Sequence, residues 1–145
     1  MDRGEAKDHV EHLAVSTAGP AFVLEPVDAK LLTEIGFLAA YQGDVDRADA
    51  IFDALVAVRP GRAYPWVGKT LARFHVGRAT EAAAFLERVS STDEDEAAVL
   101  QAWRGMALQL SGHAAQARTL LEQLADGTGP GHLLARSLLG LPEGN

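Results

Sequence analysis

A motif of about 34 residues recurs three times in this chain and restricts the architectures it can adopt. Gly43 opens the segment GDVDRADAIFDAL, Gly77 opens GRATEAAAFLERV and Gly112 opens GHAAQARTLLEQL, at intervals of 34 (77 − 43) and 35 (112 − 77) residues. An alanine follows each glycine by five positions and a large apolar residue by nine: Ala48 and Phe52, Ala82 and Leu86, Ala117 and Leu121. Such a period is typical of arrays in which each helical hairpin buries its apolar face against the next.

Composition and charge narrow the function classes. The chain has 145 residues, 48% of them hydrophobic, which is enough for one domain with a real core. The net charge of −7 disfavours binding to nucleic acid or to anionic lipid, since both need a basic face. We expect a cytoplasmic protein, because there is no cysteine, the first 26 residues lack the apolar centre of a signal peptide, and no apolar run reaches about 18 residues.

The spacing of apolar residues, glycines and prolines predicts two helices in each of three repeats, 29–62, 63–97 and 98–131. Residues 1–27 form a lead-in segment that we expect to lie outside the repeats, and the repeat domain spans 28–145. A last short helix would cover the apolar side of the final repeat. The predicted helices are 28–42, 45–58, Pro65 to the turn at Gly77, 79–89, 94–111, 114–125 and the capping helix 131–139.

Local signals refine these helices. Asp28, Asp44 and either Thr92 or Asp93 are candidate N-caps. Gly36 lies inside the first helix, where it costs about 1 kcal/mol relative to alanine, so we expect a second helix to cross closely there. Gly105 holds the same place in the third repeat. The first helix is expected to bury a face formed by Leu31, Leu32, Ile35, Leu38 and Ala39.

Three groups of polar residues were candidates for chemistry. His9 and His12 stand in the segment D-H-x-E-H and could share a metal on a helix, but no third ligand is specified and chance clustering is favoured. The run from Asp93 to Glu96 lacks the spacing of a calcium loop, so we interpret it as a helix N-terminus. His75, His113 and His132 stand alone. We therefore predict no bound metal, no cofactor and no enzymatic activity.

The repeat resembles the tetratricopeptide repeat (TPR). Its small, aromatic and proline positions are matched in the first repeat by Gly36, Gly43, Ala48, Phe52 and Pro60, in the second by Trp66, Gly77 and Ala82, and in the third by Gly105, Gly112, Ala117 and Leu121. Thr70 and Glu94 depart from the glycine and proline that the pattern has in the second repeat. The resemblance implies an all-α, right-handed solenoid of three helical hairpins with a C-terminal capping helix.

The same resemblance implies a binding groove, because the first helix of each TPR hairpin lines the concave face. Lys30, Thr33, His75 and Gln109 are polar residues at the positions that point into this groove. The other residues at these positions are apolar or aromatic and are called here the wall residues: Phe37, Ala40, Tyr41, Tyr64, Val67, Leu71, Phe74, Val99, Ala102, Met106 and Leu110. An apolar patch of this kind marks a binding surface for an amphipathic helix. The alternative is that these residues are core, or are covered by residues 1–27.

The chain is similar to small TPR-type proteins of bacterial type III secretion in its size, its acidity and the sequence of its first repeat, LTEIGFLAAYQGDVDRADAIFDALVAVRP. These include chaperones of needle and translocator subunits and related Hrp secretion proteins. The resemblance implies a chaperone that holds an amphipathic helix of an exported subunit in its groove. The alternative function is a structural scaffold or adaptor that associates with itself, as a homodimer, through the apolar surface.

Overall fold

A computed structural model describes residues 25–142, and all regular structure among them is helical. The all-α class is therefore confirmed for this part of the chain, and the helices agree with the predicted bounds to within two residues. The lead-in up to residue 24, with His9 and His12, lies outside the described residues. The helices are α1 Pro26–Tyr41, α2 Val45–Val58, α3 Tyr64–His75, α4 Ala79–Arg88, α5 Glu94–Leu110, α6 Ala114–Ala125 and α7 Pro130–Leu138.

The chain divides into two compact units, Met1–Leu32 and Thr33–Asn145, and helices α2 to α7 all belong to the second. In that unit each helix packs on the next one along the chain, from α2 to α7. In addition, α3 contacts α5, and α5 contacts α7. Phe37 of α1 joins this series through an edge-to-face contact with Phe52 of α2, with ring centroids 4.9 Å apart.

Three turns of the same geometry join the two helices of each hairpin. Gly43, Gly77 and Gly112 have φ values of +72°, +74° and +89°, a left-handed region that favours glycine. After each glycine, the next backbone N–H donates to the carbonyl five residues earlier: Asp44 to Ala39 (3.0 Å), Arg78 to Arg73 (2.8 Å) and His113 to Leu108 (2.8 Å). This Schellman arrangement satisfies carbonyls that the end of a helix would leave unpaired.

The helix N-termini follow the predicted caps with one exception. Asp44 accepts a hydrogen bond from the backbone N–H of Arg47 (3.2 Å), and Asp93 accepts from those of Asp95 (2.9 Å) and Glu96 (3.1 Å). The acidic run is thus a helix N-terminus, as predicted. The prediction for Asp28 was wrong: α1 begins at Pro26, so Asp28 lies within the first turn. Proline at the start of a helix loses no hydrogen bond and presets φ.

The repeated alanines and large apolar residues form the centre of the packing. Ala48, Ala82, Ala117, Phe52, Leu86 and Leu121 all have no exposed surface. Gly36 lies under the ring of Phe52, because a Cβ atom there would be 2.8 Å from the Phe52 Cζ atom. A Cβ atom on Gly105 would likewise be 2.5 Å from a methyl group of Leu121. The close helix crossing predicted at both glycines is confirmed.

The second repeat solves the same packing problem differently. Thr70, at the place where the other repeats have glycine, is fully buried, and its hydroxyl has no hydrogen-bond partner among the described residues. Two residues earlier, Gly68 faces Phe52 of the preceding hairpin, and a Cβ atom there would overlap the ring. Phe52 therefore lies between Gly36 of α1 and Gly68 of α3.

The buried face predicted for the first helix needs correction. Leu31, Ile35 and Leu38 are exposed, by 56%, 42% and 58% respectively. Ala39 is buried as predicted, and the face of α1 that packs contains Gly36 and Ala40 beside it. Small residues allow a close approach of helices, and Leu38 projects about 200° around the helix from Gly36.

Candidate functional site

The wall residues differ in how much of each side chain a partner could reach. Ala40 and Ala102 have no exposed surface, so their methyl groups contribute to packing. Tyr41 and Leu110, near the C-terminal ends of α1 and α5, are each 60% exposed. The remaining wall residues are half-buried, which leaves one side of each available: Phe37, Tyr64, Val67, Leu71, Phe74, Val99 and Met106.

Aromatic contacts connect the first helices of the three hairpins. On α1, the rings of Phe37 and Tyr41 lie 6.5 Å apart. Tyr41 meets His75 of α3 edge-on at 5.8 Å, and Phe74 of α3 stacks on Trp103 of α5 at 6.2 Å. These side chains therefore form a row that crosses α1, α3 and α5 in turn.

Trp103 belongs to this row of side chains but was not included among the wall residues. It lies four residues after Val99, hence on the same face of α5, and this spacing could have identified it. Val99 and Trp103 also pack against a core cluster of Ala63, Leu86 and Leu100. This part of the wall serves both the core and the surface.

A second network of side chains links α2, α3 and α4. The guanidinium group of Arg73, 8% exposed, donates to both carboxylate oxygens of Asp49, at 2.8 and 2.6 Å. It also donates to Glu81 at 3.3 Å and lies 5.1 Å from the centre of the Phe85 ring. A paired cation of this kind is costly to disrupt, since the loss of one partner leaves a buried charge.

Lys69, one turn before Arg73, extends this network. Its ammonium group is 2.6 Å from Asp53 and 4.7 Å from the centre of the Trp66 ring. Acidic residues on α2 thus face basic residues on α3, and aromatic rings pack beside the cations. The network links α2 of the first hairpin to α3 of the second hairpin.

The pKa values follow from these contacts. The hydrogen bond to Asp49 raises the pKa of Arg73 above its ordinary value, although burial acts in the opposite direction. The hydrogen bonds from Arg78 lower the pKa of Glu81, and Arg73 lowers it further. Both groups therefore remain charged at neutral pH and serve as ion-pair partners.

Part of the acidic run before α5 is also engaged. Glu96 accepts a hydrogen bond from the backbone N–H of Ala63 (2.6 Å) and lies 3.4 Å from Arg62. It therefore satisfies a free N–H group at the start of α3. Among residues 25–142, the acidic and histidine side chains form no group of three that could hold a metal ion.

A shallow cavity of about 400 Å³ lies between the C-terminal end of α7, the N-terminal half of α6 and the end of α5. Arg118 is its charged residue and is 3.9 Å from Glu122. The alanine and leucine side chains of the lining have no reactive group. The lining residues are Gln109, Ala114, Ala115, Arg118, Thr119, Leu138 and Leu139.

Comparison of the chain with protein-family models, curated proteins and solved structures gives no match. None of the helices in the described part of the chain is long and apolar enough to cross a lipid bilayer.

Proposed function

We propose that the protein is a TPR-like helical-repeat module, a right-handed solenoid of three hairpins with α7 as its cap, that binds an amphipathic helix of a partner protein. The observation that carries the proposal is the row of aromatic side chains across α1, α3 and α5. The identical hairpin turns and the packing of each helix on the next support the array. Half-buried apolar side chains on neighbouring helices offer a surface that an apolar helix face can cover.

The proposed role is that of a cytoplasmic chaperone, with a subunit of a type III secretion system as the candidate partner. This role comes from the resemblance in the first repeat. A groove that shields an adhesive helix from water would keep such a subunit soluble until its export. We expect the partner to aggregate or to be degraded when it is produced alone.

Exchange of a wall residue for a charged one tests the groove. The partner is first captured from the native host and identified by mass spectrometry. Leu71→Glu should then weaken its binding at least about tenfold, because a carboxylate would face an apolar ligand without a counter-ion. Binding is measured by calorimetry, and circular dichroism and thermal unfolding establish that the variant is folded.

Two further variants make this test specific. Leu110→Glu changes a wall residue that is 60% exposed, so it should fold normally and still weaken binding. Leu133→Glu introduces the same charge on α7, where the leucine is 53% exposed, and should leave the affinity unchanged. Unchanged affinity in both folded wall variants would refute the groove.

A self-associating scaffold is the second candidate function, because Ile35 and Leu38 expose apolar surface on α1. Light scattering across a dilution series separates the two candidates. A dimer that persists on dilution and is dissociated by Leu38→Glu would favour the scaffold. A monomer at all concentrations would favour the chaperone.

A further inference from the structure

Exposed carboxylates and two basic residues border the wall residues. Lys30 precedes Glu34 by four residues on α1, and Arg62 lies over the Tyr64 ring but is paired with Glu96. On α1, Glu34 is exposed and precedes Phe37 by three residues and Tyr41 by seven, which places it on the same helical face. On α5, Asp95 is exposed and precedes Val99 by four residues. Carboxylates thus stand at the N-terminal end of the apolar stripe on the first and third of these helices.

The opposite end of each stripe lies at a helix C-terminus and carries a partial negative charge. Tyr41, His75 and Leu110 are the last residues of α1, α3 and α5, and the contact between Tyr41 and His75 brings two of these helix ends together. The C-terminal end of a helix carries a partial negative charge that a nearby cation stabilises. Yet the last turns of α1 and α5 contain no basic residue.

The arginine near the end of α3 does not change this balance. Arg73 is directed to Asp49 and Glu81 on the neighbouring helices α2 and α4, and only 8% of its surface is exposed. Its charge is therefore already neutralised by two carboxylates. The net charge of −7 for the whole chain adds a long-range field of the same sign.

We propose that the ligand of this groove is a cationic amphipathic helix, whose apolar stripe is flanked by lysine or arginine. The inference rests on the proposed groove and adds the charge of its partner. The apolar stripe covers the wall residues, and the flanking cations meet Glu34, Asp95 and the partial negative charge at the C-terminal ends of α1 and α5. A partner flanked by carboxylates would meet repulsion at each of these places.

Two designed peptides of equal length test the charge preference. Both carry leucines at i, i+3, i+4 and i+7, and they differ only in having lysine or glutamate on either side of that stripe. We expect the full-length protein to bind the lysine peptide at least about tenfold more tightly at about 20 mM salt. The ratio should decrease at about 300 mM salt, because salt screens exposed charges. Calorimetry gives both affinities.

Charge-removing variants locate the effect. Glu34→Gln combined with Asp95→Asn should weaken binding of the lysine peptide about three- to tenfold and reduce its dependence on salt. Glu87→Gln removes an exposed carboxylate from α4, the second helix of a hairpin, and should leave the affinity unchanged. Equal effects of the two changes would overturn the placement of the cations.

Leu110→Glu separates the groove from general attraction between a basic peptide and an acidic protein. The added negative charge would strengthen binding if charge alone were responsible, whereas the groove predicts weaker binding. Equal affinities for the two peptides would overturn the charge preference and leave the groove intact. If neither peptide binds, the proposed function itself is contradicted.

Discussion

Phe52 joins the first two hairpins, because its ring occupies the space between Gly36 of α1 and Gly68 of α3. Each glycine lacks the Cβ atom that would meet the ring. The ring has no exposed surface, so it has no room to withdraw. Two glycines inside helices are tolerated here because an aromatic side chain fills the volume that they leave open.

Gly68→Ala should therefore lower the free energy of unfolding by about 1–3 kcal/mol through overpacking. The sign is informative, because alanine inside a helix would otherwise stabilise by about 1 kcal/mol. Chemical denaturation monitored by circular dichroism measures the change. In a Phe52→Leu background the smaller side chain should reduce the cost of the alanine, and a double-mutant cycle quantifies this coupling. A stabilising Gly68→Ala would contradict the packing described here.

Glu81 gives a prediction about pH. Its pKa is lowered in the folded state by Arg78 and Arg73, from an ordinary value of 4.5. A depressed carboxyl pKa contributes stability that is fully present above the unfolded-state pKa and is lost as the pH falls through the folded value. Glu81→Gln should thus be less stable than the wild type at about pH 7, and the difference should be smaller at about pH 3. Denaturant midpoints at the two pH values test this, and a constant difference would contradict it.

At the scale of single helices, the second helix of each hairpin contributes its repeated alanine to the core. Ala82 of α4 has no exposed surface, whereas Ala84, two residues later, is exposed. Ala82→Leu should destabilise by about 1–3 kcal/mol, because the added side chain has no space to fill. Ala84→Leu adds the same atoms at the surface and should change stability by less than about 0.5 kcal/mol. Equal denaturation midpoints for the two variants would show that the register of α4 is wrong.

Helix bounds and turns could be predicted because their signals are local. Gly43, Gly77 and Gly112 each supply a left-handed turn. Asp44 and Asp93 cap their helices by accepting hydrogen bonds from backbone N–H groups three residues later. The buried face of α1 could not be predicted, because apolar residues occur on most sides of that helix. Periodicity correctly selected Ala39, which is buried, but it also selected Leu31, Ile35 and Leu38, which are exposed. The packing used Gly36 and Ala40 beside Ala39.

The Arg73 network could not be predicted from the sequence either. Its partners Asp49 and Glu81 lie 24 and 8 residues away along the chain, and an arginine within a helix gives no local sign of burial. The wall residues were selected through the resemblance alone. The structure shows which of them are exposed, and Trp103 of α5 packs beside them on Phe74 of α3.

At the scale of the second compact unit, the helices contact mainly their neighbours along the chain. From α2 to α7 each helix packs on the next, and α5 alone among them touches α3, α4, α6 and α7. In arrays of this kind a local defect is felt first by the adjoining elements. The unit should therefore lose structure from α7 before it loses structure around α5.

Gly131→Ala tests this order. Gly131 of α7 is buried, and a Cβ atom there would overlap the backbone of Ala98 and Val99 in α5. We expect α7 to separate, so that amides in 130–138 exchange with deuterium much faster, while those in 64–75 remain protected. Mass spectrometry of peptides from the two segments measures both rates. Equal acceleration in both would mean that the unit unfolds as one body.

The wall residues on α1, α3 and α5 also set a length scale for a ligand of the proposed groove. Packed helices lie about 8–10 Å apart, and a helix rises 1.5 Å per residue. A ligand helix that crosses α1, α3 and α5 would thus meet Phe37, then Leu71, then Met106 at intervals of about six residues of its own length. The groove would therefore select ligands by the spacing of their apolar residues. A change of that spacing by one or two residues would place a polar side chain of the ligand against the wall residues.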